Sequence, residues 1–385
     1  MPILIAIIVF GLVVLVHEAG HFIAARRAGI LVTEFAVGMG PKLIGFQRGE
    51  TLYTIRILPL GGFCLMYNDD VDPLIRGGSD TDGTEENTDS LIENTPDYGD
   101  KSFNSKTVAQ RMSVMFAGSF MNFVLAFVLF SIIAWTSGFA TTTLMHVSPN
   151  SPAEAAGLAA GDRITSLNGS RIFLWNDIDF EINTGYGRPI EVGFVRDGQN
   201  YSVNVTPVMT GERYMMGIRP EARVGIFVEP PAGFYRAGIG ESITVGFMRI
   251  GFFIRVTVVG LVRVITAQIS ADQMAGPLGI VNMIGGEYRA AVAIAEEAQL
   301  SRTLMILTIV ISMANFAALI SANLGVLNLL PIPGLDGGRI IFLVLEAIRR
   351  KPLPPEREGM VHLAGFMLLL VLIVFLTYQD IMNLL

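Results

Sequence analysis

Four long apolar runs mark this chain, and between the second and third the pattern changes to that of a water-soluble domain. The runs cover residues 3–25, Met112–Phe139, Leu304–Leu330 and Leu363–Leu385. Each is long enough to cross a bilayer, which takes about 20 residues of helix. Between Thr33 and Met66 the pattern alternates and is rich in glycine, which predicts short strands joined by turns. From Thr141 to Glu221 the chain reads as a soluble α+β module. It has strands at Leu144–Val147, Ile190–Arg196 and Tyr201–Thr206, a short capped helix at Ser151–Leu158 and a second helix at Trp175–Asn183.

A fifth stretch, Ile243–Ile269, is apolar but interrupted by Arg249, Arg255 and Arg263. On a helix these fall within one arc of about 120°, so a helix lying along the membrane surface is expected rather than a fifth span. Gly276-Pro277-Leu278-Gly279-Ile280 then reads as a turn into another surface segment.

Composition agrees with a membrane protein. Mean hydropathy is +0.53 and charged residues make up 16%, against about 25% in ordinary soluble chains. The length of 385 residues accommodates a membrane domain and one soluble module of about 80–100 residues. The first run lacks a basic leader and a small-residue cleavage site, so it is expected to be a permanent helix. Cys64 is the only cysteine, which excludes an intrachain disulfide and a cysteine-based zinc site.

The net charge of −7 arises from residues 68–100, where eleven acids face one base, Arg76. That stretch reads as a disordered cytoplasmic loop. No basic patch with interleaved aromatics points to nucleic acid. Basic residues cluster after the first run (Arg26, Arg27, Lys42, Arg48, Arg56), before the second (Lys101, Lys106, Arg111) and after the third (Arg339, Arg349, Arg350, Lys351, Arg357). The positive-inside rule puts these segments in the cytoplasm and both termini outside, with four spans. The predicted organisation is therefore 1–67 (first span and strands), 68–100 (acidic loop), 101–140 (second span), 141–222 (soluble domain), 223–302 (surface segments) and 303–385 (third and fourth spans).

The first span contains His17-Glu18-Ala19-Gly20-His21. Positions i and i+4 share a helix face, so the two imidazoles can hold one metal ion, and Glu18 can act as general base on a metal-bound water. Ionisable groups inside a span are expensive and functional by default; a polar cluster that pairs two helices is the structural alternative. His21 lies about 7 Å along the helix from the basic edge, which places the site toward the cytoplasmic side.

Catalytic zinc sites usually take three protein ligands. His146 and His362 are poor candidates, since the first lies on the outer side and the second has no motif around it. Asp336 ends its span on the same side as His21, and Pro331 and Pro333 would break the helix and let the carboxylate turn inward. A turn former or an N-cap is the alternative for Asp336. Gly118 and Asn122, at i and i+4 of the second span, read as a helix-packing face with a polar contact.

These motifs together resemble the RseP-type site-2 intramembrane metalloproteases: HExxH in the first span, NxxPxPxLDG at Asn328–Gly337, AGSFMN at 117–122 and GPLGI at 276–280. The SPAxxAGL…GDRIxxxNG run resembles a PDZ domain, and this chain has one where some family members have two. The resemblance implies an α-helical membrane protein with four transmembrane helices, a membrane-reentrant β-sheet and one extracytoplasmic PDZ domain, in the cytoplasmic membrane of a bacterium. It implies one Zn2+ per chain on His17, His21 and Asp336, with Glu18 catalytic. Asn328 and the glycines of the sheet, Gly38, Gly40, Gly61 and Gly62, would position substrate. The partners implied are the lipid bilayer, single-pass membrane proteins already shortened outside, and a peptide in a PDZ groove at Met216, Gly217, Ile218 and Arg219. A PDZ domain acting only as a steric gate, and a catalytically silent membrane receptor or scaffold, are the competing expectations.

Overall fold

The computed structural model describes residues 2–67, 99–211, 213–227, 229–231, 234–266, 268 and 275–384. The predicted acidic loop falls outside them except for a 3-10 turn at Gly99–Lys101. In chain order, helix α1 (Pro2–Arg27) leads into strands β1 (Val32–Arg48) and β2 (Thr51–Met66), then helix α2 (Val108–Ser137) and strand β3 (Gly138–Val147). A short helix α3 (Pro152–Ala155), strands β4 (Arg163–Leu167) and β5 (Ser170–Arg171) and helix α4 (Trp175–Thr184) come next. Strands β6 (Ile190–Arg196), β7 (Gln199–Val205), β8 (Val208–Thr210), β9 (Arg213–Met215), β10 (Ile218–Val224) and β11 (Tyr235–Arg236) follow. The chain ends in helices α5 (Ile239–Ile265), α6 (Pro277–Glu297), α7 (Arg302–Leu329), α8 (Asp336–Arg349) and α9 (Pro355–Leu384). It divides into two units, Met1–Ala126 with Thr257–Leu385, and Phe127–Val256.

In the first unit the helices are held by close backbone approach as well as by side chains. A Cβ on Gly20 would overlap the Ala117 carbonyl of α2, and one on Gly325 of α7 would press on the Phe123 ring. Small residues at helix crossings are what permits such packing in lipid, where hydrophobic burial drives little association. Two apolar clusters form. One joins Ala25, Val32, Val114, Met115 and Leu343; the other joins Ala6, Ile284, Met313 and Phe316. Helix α6 contributes Ile284 to the second cluster and contacts α1, α7 and α9. Its first turn is capped from afar: Gly276 N–H and Gly279 N–H donate to the Asp380 carboxylate of α9 at 3.0 and 2.8 Å.

The glycine-rich segment contains two strands of 17 and 16 residues, bent so sharply that they act as four. Residues 34–37 pair on one side with 62–65 and on the other with 52–55, and 42–48 pair with 51–56. The 62–66 segment is therefore one edge of a four-layered ribbon. Gly38, Gly40 and Gly61 take φ of 89°, 82° and 84°, which lets the strands fold back on themselves. Inside the ribbon, Glu34 is buried and accepts hydrogen bonds from Thr54 and, at 2.7 Å, from Arg56.

The second unit is built on a seven-stranded sheet in the order β11-β10-β3-β4-β6-β7, with β5 on β4. Its core gathers Leu144, Leu158, Ile164, Leu167, Ile178, Ile182, Val192 and Phe194, the inward positions of the predicted strands and helix. Ser151 caps α3 by accepting the Glu154 N–H. Arg255 of α5 pairs with Asp177 at 2.7 Å and Glu181 at 3.3 Å, both on α4, and Arg249 lies over the Phe130 ring. The arginine stripe predicted to face water thus has protein partners.

Among the described residues five helices, rather than four, are long and apolar enough to cross a membrane: Ile3–Arg27, Val108–Ser137, Ile239–Ile265, Arg302–Leu329 and Glu356–Asn383. The third of these is the predicted surface helix; its length qualifies it, while its arginines set it apart.

Candidate metal centre

His17 and His21 project from one face of α1 and are 6% and 5% exposed. Their Nε2 atoms lie 3.2 Å apart, and Asp336 Oδ2 lies 3.1 Å from the first and 3.2 Å from the second. Zinc bound tetrahedrally at about 2.0–2.2 Å holds its ligand atoms roughly 3.3–3.5 Å apart, so this triangle fits one such ion. Asp336 Oδ2 is buried and makes no hydrogen bond, a state that a coordinated cation relieves. The cluster is the one His/Cys/Asp/Glu group among the described residues with metal-ligand geometry.

The far side of each ring fixes its tautomer. His21 Nδ1–H donates to the Val114 carbonyl at 2.8 Å, leaving Nε2 as a free lone pair. The Asn122 amide lies 3.1 Å from His17 Nδ1, and the Asn122 oxygen is otherwise buried without a partner. With that oxygen turned to the ring, it accepts Nδ1–H and frees His17 Nε2 as well; amide orientation is assigned by such networks. Ser321 of α7 donates to the Asn122 carbonyl at 2.8 Å, which ties α7 to the same turn of α2. Gly118, one turn earlier, lies directly under the two rings, and a methyl there would overlap both.

Asp336 arrives by a different route. Helix α7 ends at Leu329 because Pro331 and Pro333 cannot donate to its ladder. The chain then reverses through Gly334, at φ 97°, and Asp336 opens α8. A Cβ on Gly337 would strike the Leu330 carbonyl, so the turn is closed tightly on itself. The buried Arg111–Glu346 ion pair holds α8 to α2, whose Val114, Gly118 and Asn122 contact the histidines.

Glu18 is partly buried beside the ribbon. A Cβ on Gly62 would sit 3.5 Å from Glu18 Cγ, and the Cys64 backbone hydrogen-bonds its carboxylate. The edge segment 62–66 is thus next to the HExxH helix, whereas Gly38 and Gly40 shape the bend with Leu58. The Asn328 amide is buried and lies 3.3 Å from His17 Nε2.

Of the expected groove residues, Met216 is a core residue at 1% exposure, and its carbonyl accepts the Ala153 N–H. Gly217 makes a turn at φ 80°. Ile218 and Arg219 open β10 and pair with Val147 and His146 of β3. On the other edge of β10, β11 pairs at Arg223 and Val224, and no further strand partner appears there among the described residues.

Sequence reasoning treated Gly118 and Asn122 as helix packing and passed over His362. Packing is what Gly118 and Asn122 do, but against the metal-ligand rings. An asparagine in an apolar span was the available signal. His362 is not a ligand; it accepts a hydrogen bond from Gly334 N–H.

The model of peptidase family M50 matches residues 5–372. The zinc metalloprotease RasP of Geobacillus kaustophilus is 32% identical, with 97% of this chain and 96% of the relative covered. A Clostridium acetobutylicum relative, whose name classes it provisionally as a zinc metalloprotease, is 34% identical over 98% of this chain and 97% of its own. Among solved structures, the PDZ domain of an SdrC-like protein from Listeria monocytogenes aligns with 21% of this chain and 88% of its own at 21% identity, with a TM-score of 0.19. A family model covering most of the chain, and relatives matched end to end, lead to one conclusion: the chain belongs to peptidase family M50, the site-2 proteases, and is a zinc metalloendopeptidase.

Proposed function

We propose that the chain hydrolyses peptide bonds of single-pass membrane proteins within the bilayer, with His17, His21 and Asp336 holding one zinc ion and Glu18 as general acid–base. The convergence of two imidazole nitrogens and one carboxylate oxygen to within 3.2 Å of one another carries this reading. Two of the three sit midway along a helix apolar enough to cross a membrane, where ionisable groups are retained for function.

When bound, zinc polarises the scissile carbonyl and lowers the pKa of a water at the site toward ~7. Glu18 takes the proton of that water and delivers it to the leaving amine. Asn328, buried beside His17, offers an N–H to a substrate carbonyl. A helical substrate has its backbone groups paired internally and must unwind before it is cut. The 62–66 edge of the ribbon supports the exchange, because an unwound segment added there would run past Glu18. Ile218 and Arg219 on β10 are the counterpart for a peptide in the soluble unit.

Topology supports four spans. The basic residues after α1 and after α7 put both helix ends in the cytoplasm, and Asp336 meets His21 near the cytoplasmic end of α1. With α2 running outward and α7 inward, the chain between them must cross an even number of times. Helix α6 does not qualify as a span, so α5 lies at the outer surface and both termini are outside.

The test compares wild type with Glu18→Gln on a tagged single-pass substrate in vesicles, with zinc measured in both. Near one zinc per chain in each, and cleavage only by wild type, is expected. Equal cleavage, or purified wild type devoid of metal, refutes the reading.

A further inference from the structure

Helix α9 holds the turn that delivers Asp336, and it does so through one side chain. In the stretch Pro331-Ile332-Pro333-Gly334-Leu335 the prolines have no N–H to give, which leaves three backbone donors. Ile332 N–H bonds to the Leu330 carbonyl at 2.7 Å and Leu335 N–H to the Ile332 carbonyl at 3.2 Å, both inside the turn. Gly334 N–H alone leaves it, donating to His362 Nδ1 at 3.0 Å.

The surroundings of His362 define its state. Nδ1 accepts, so Nε2 carries the proton, and Glu358 Oε1 lies 3.8 Å from it, one helical turn earlier. The Phe342 ring of α8 meets the imidazole edge-on at 5.3 Å between centroids. The ring therefore touches α8 on one side and the turn before it on another. Around it α9 is stripped down to receive the turn: a Cβ on Gly365 would overlap the Pro333 carbonyl, and Gly334 lies against the Phe366 backbone nitrogen. The imidazole thus joins the turn to α9 at a point two residues before the metal-ligand carboxylate.

We propose that His362 is a positioning residue: it fixes the Pro333–Leu335 turn on α9 and through it the placement of Asp336 against His17 and His21. This rests on the assignment of Asp336 as a zinc ligand, and it extends that site to a helix that supplies no ligand. Residues that orient a metal ligand typically change affinity or activity by 10–100-fold when removed.

The measurements compare wild type, His362→Ala and His362→Asn, each as the full chain in detergent. Asparagine places an oxygen near the position of Nδ1 and can accept the same N–H; alanine cannot. Hydrogen exchange across 331–336, where Ile332, Gly334 and Leu335 report, should accelerate in the alanine variant and return toward wild type in the asparagine variant. Zinc retention against a chelator should weaken by about 10-fold or more in alanine and recover in asparagine. With saturating substrate, kcat should follow zinc retention while KM stays near wild type. Equal exchange in all three proteins overturns the proposal whatever they cleave. Faster exchange with unchanged zinc retention overturns the link to Asp336. Should wild type bind no zinc, the metal reading fails by itself, and the exchange data still decide whether His362 holds the turn.

Discussion

The two units bury polar groups for opposite purposes. In the soluble unit the buried polar residues complete local structure. Asp162 accepts the Ala159 N–H at 2.8 Å and pairs with Arg196 at 2.6 Å, while Asp177 accepts the N–H groups of Phe173 and Leu174 at the start of α4. Each serves a turn within a few residues of itself, and Asp162 and Asp177 each add one more distant arginine. In the helical unit the buried polar residues serve one another over long sequence separations: His21 with the Val114 carbonyl, His17 with Asn122, Asp336 with both histidines, Gly276 and Gly279 with Asp380. Glycines divide in the same way. Those of the soluble unit, such as Gly157, Gly161 and Gly169, take positive φ with open space around them, whereas Gly20, Gly118, Gly325 and Gly365 make room for a neighbouring helix or ring. The reason is the solvent. A water-soluble core gains about 1.5–3 kcal/mol per buried aliphatic side chain and needs polar groups only to finish its turns. Helices in lipid gain little from burial, and association rests on close packing and on polar pairing.

If this contrast is sound, a single methyl in the helical unit should do more damage than any cap removed from the soluble unit. Gly118→Ala would place that methyl against both imidazoles and force a ligand ring to move. A displacement of about 1 Å at reacting groups costs on the order of 100-fold in rate, and cleavage should fall by at least that much. Zinc should be lost with it, while proteolytic protection of residues 151–205 stays as in wild type. Retention of zinc and of cleavage within a few-fold of wild type would show that the close approach at Gly118 is not needed. Asn122→Ala leaves the His17 Nδ1–H unpaired and should weaken zinc retention by roughly 10–100-fold. Asn122→Asp keeps the acceptor and should recover most of it; equal losses in both would mean that packing, and not the tautomer, is what Asn122 supplies.

The same contrast explains what could be read from the sequence. The turns of the soluble unit are written in adjacent residues, so Ser151-Pro152, Gly161-Asp162 and Asn168-Gly169 announced its helix start and strand ends. The helical spans followed from length and apolarity, and the predicted Trp175–Asn183 and Leu304–Leu330 helices differ from α4 and α7 by one or two residues at their ends. His17 and His21 were legible because one helix carries both. Asp336 required topology, since nothing local ties it to a helix more than three hundred residues earlier. Asn122 was read as packing and His362 was set aside, because their partners lie on other elements: a ring on α1 and an amide in the α7–α8 turn. The fold-back of β1 and β2 was also hidden, for alternation specifies faces but not which of four segments lies next to which.

Two changes in the soluble unit test the other half of the comparison. Asp162→Asn removes the charge from a fully buried carboxylate that meets the Arg196 guanidinium with both oxygens. The loss should destabilise that unit by about 1–3 kcal/mol, read as faster hydrogen exchange across β4 and β6 in the full chain, with zinc content unchanged. A drop in zinc content would show that the two units are coupled through this unit's stability, and the division of labour would fail.

The smallest effect belongs to Ser151→Ala. The hydroxyl accepts the Glu154 N–H at 3.3 Å at the start of a four-residue helix, a long bond on a short element. Loss of an N-cap typically costs about 1 kcal/mol. Here Pro152 presets the first helical φ and the Glu154 carboxylate accepts the Asn150 N–H at 2.6 Å, so the turn keeps other support and the cost should fall at or below that value. Ser151 also packs against Gly217, where a Cβ would overlap its side chain, so alanine removes an oxygen from a tight contact and relaxes it slightly. Exchange at Glu154 should quicken by no more than about five-fold, which corresponds to about 1 kcal/mol, with β10 unaffected. An effect that spreads to Ile218 and Arg219 would mean that the cap of α3 also sets the start of the strand proposed to receive a peptide, and that this part of the soluble unit carries a long-range polar dependence like those of the helical unit.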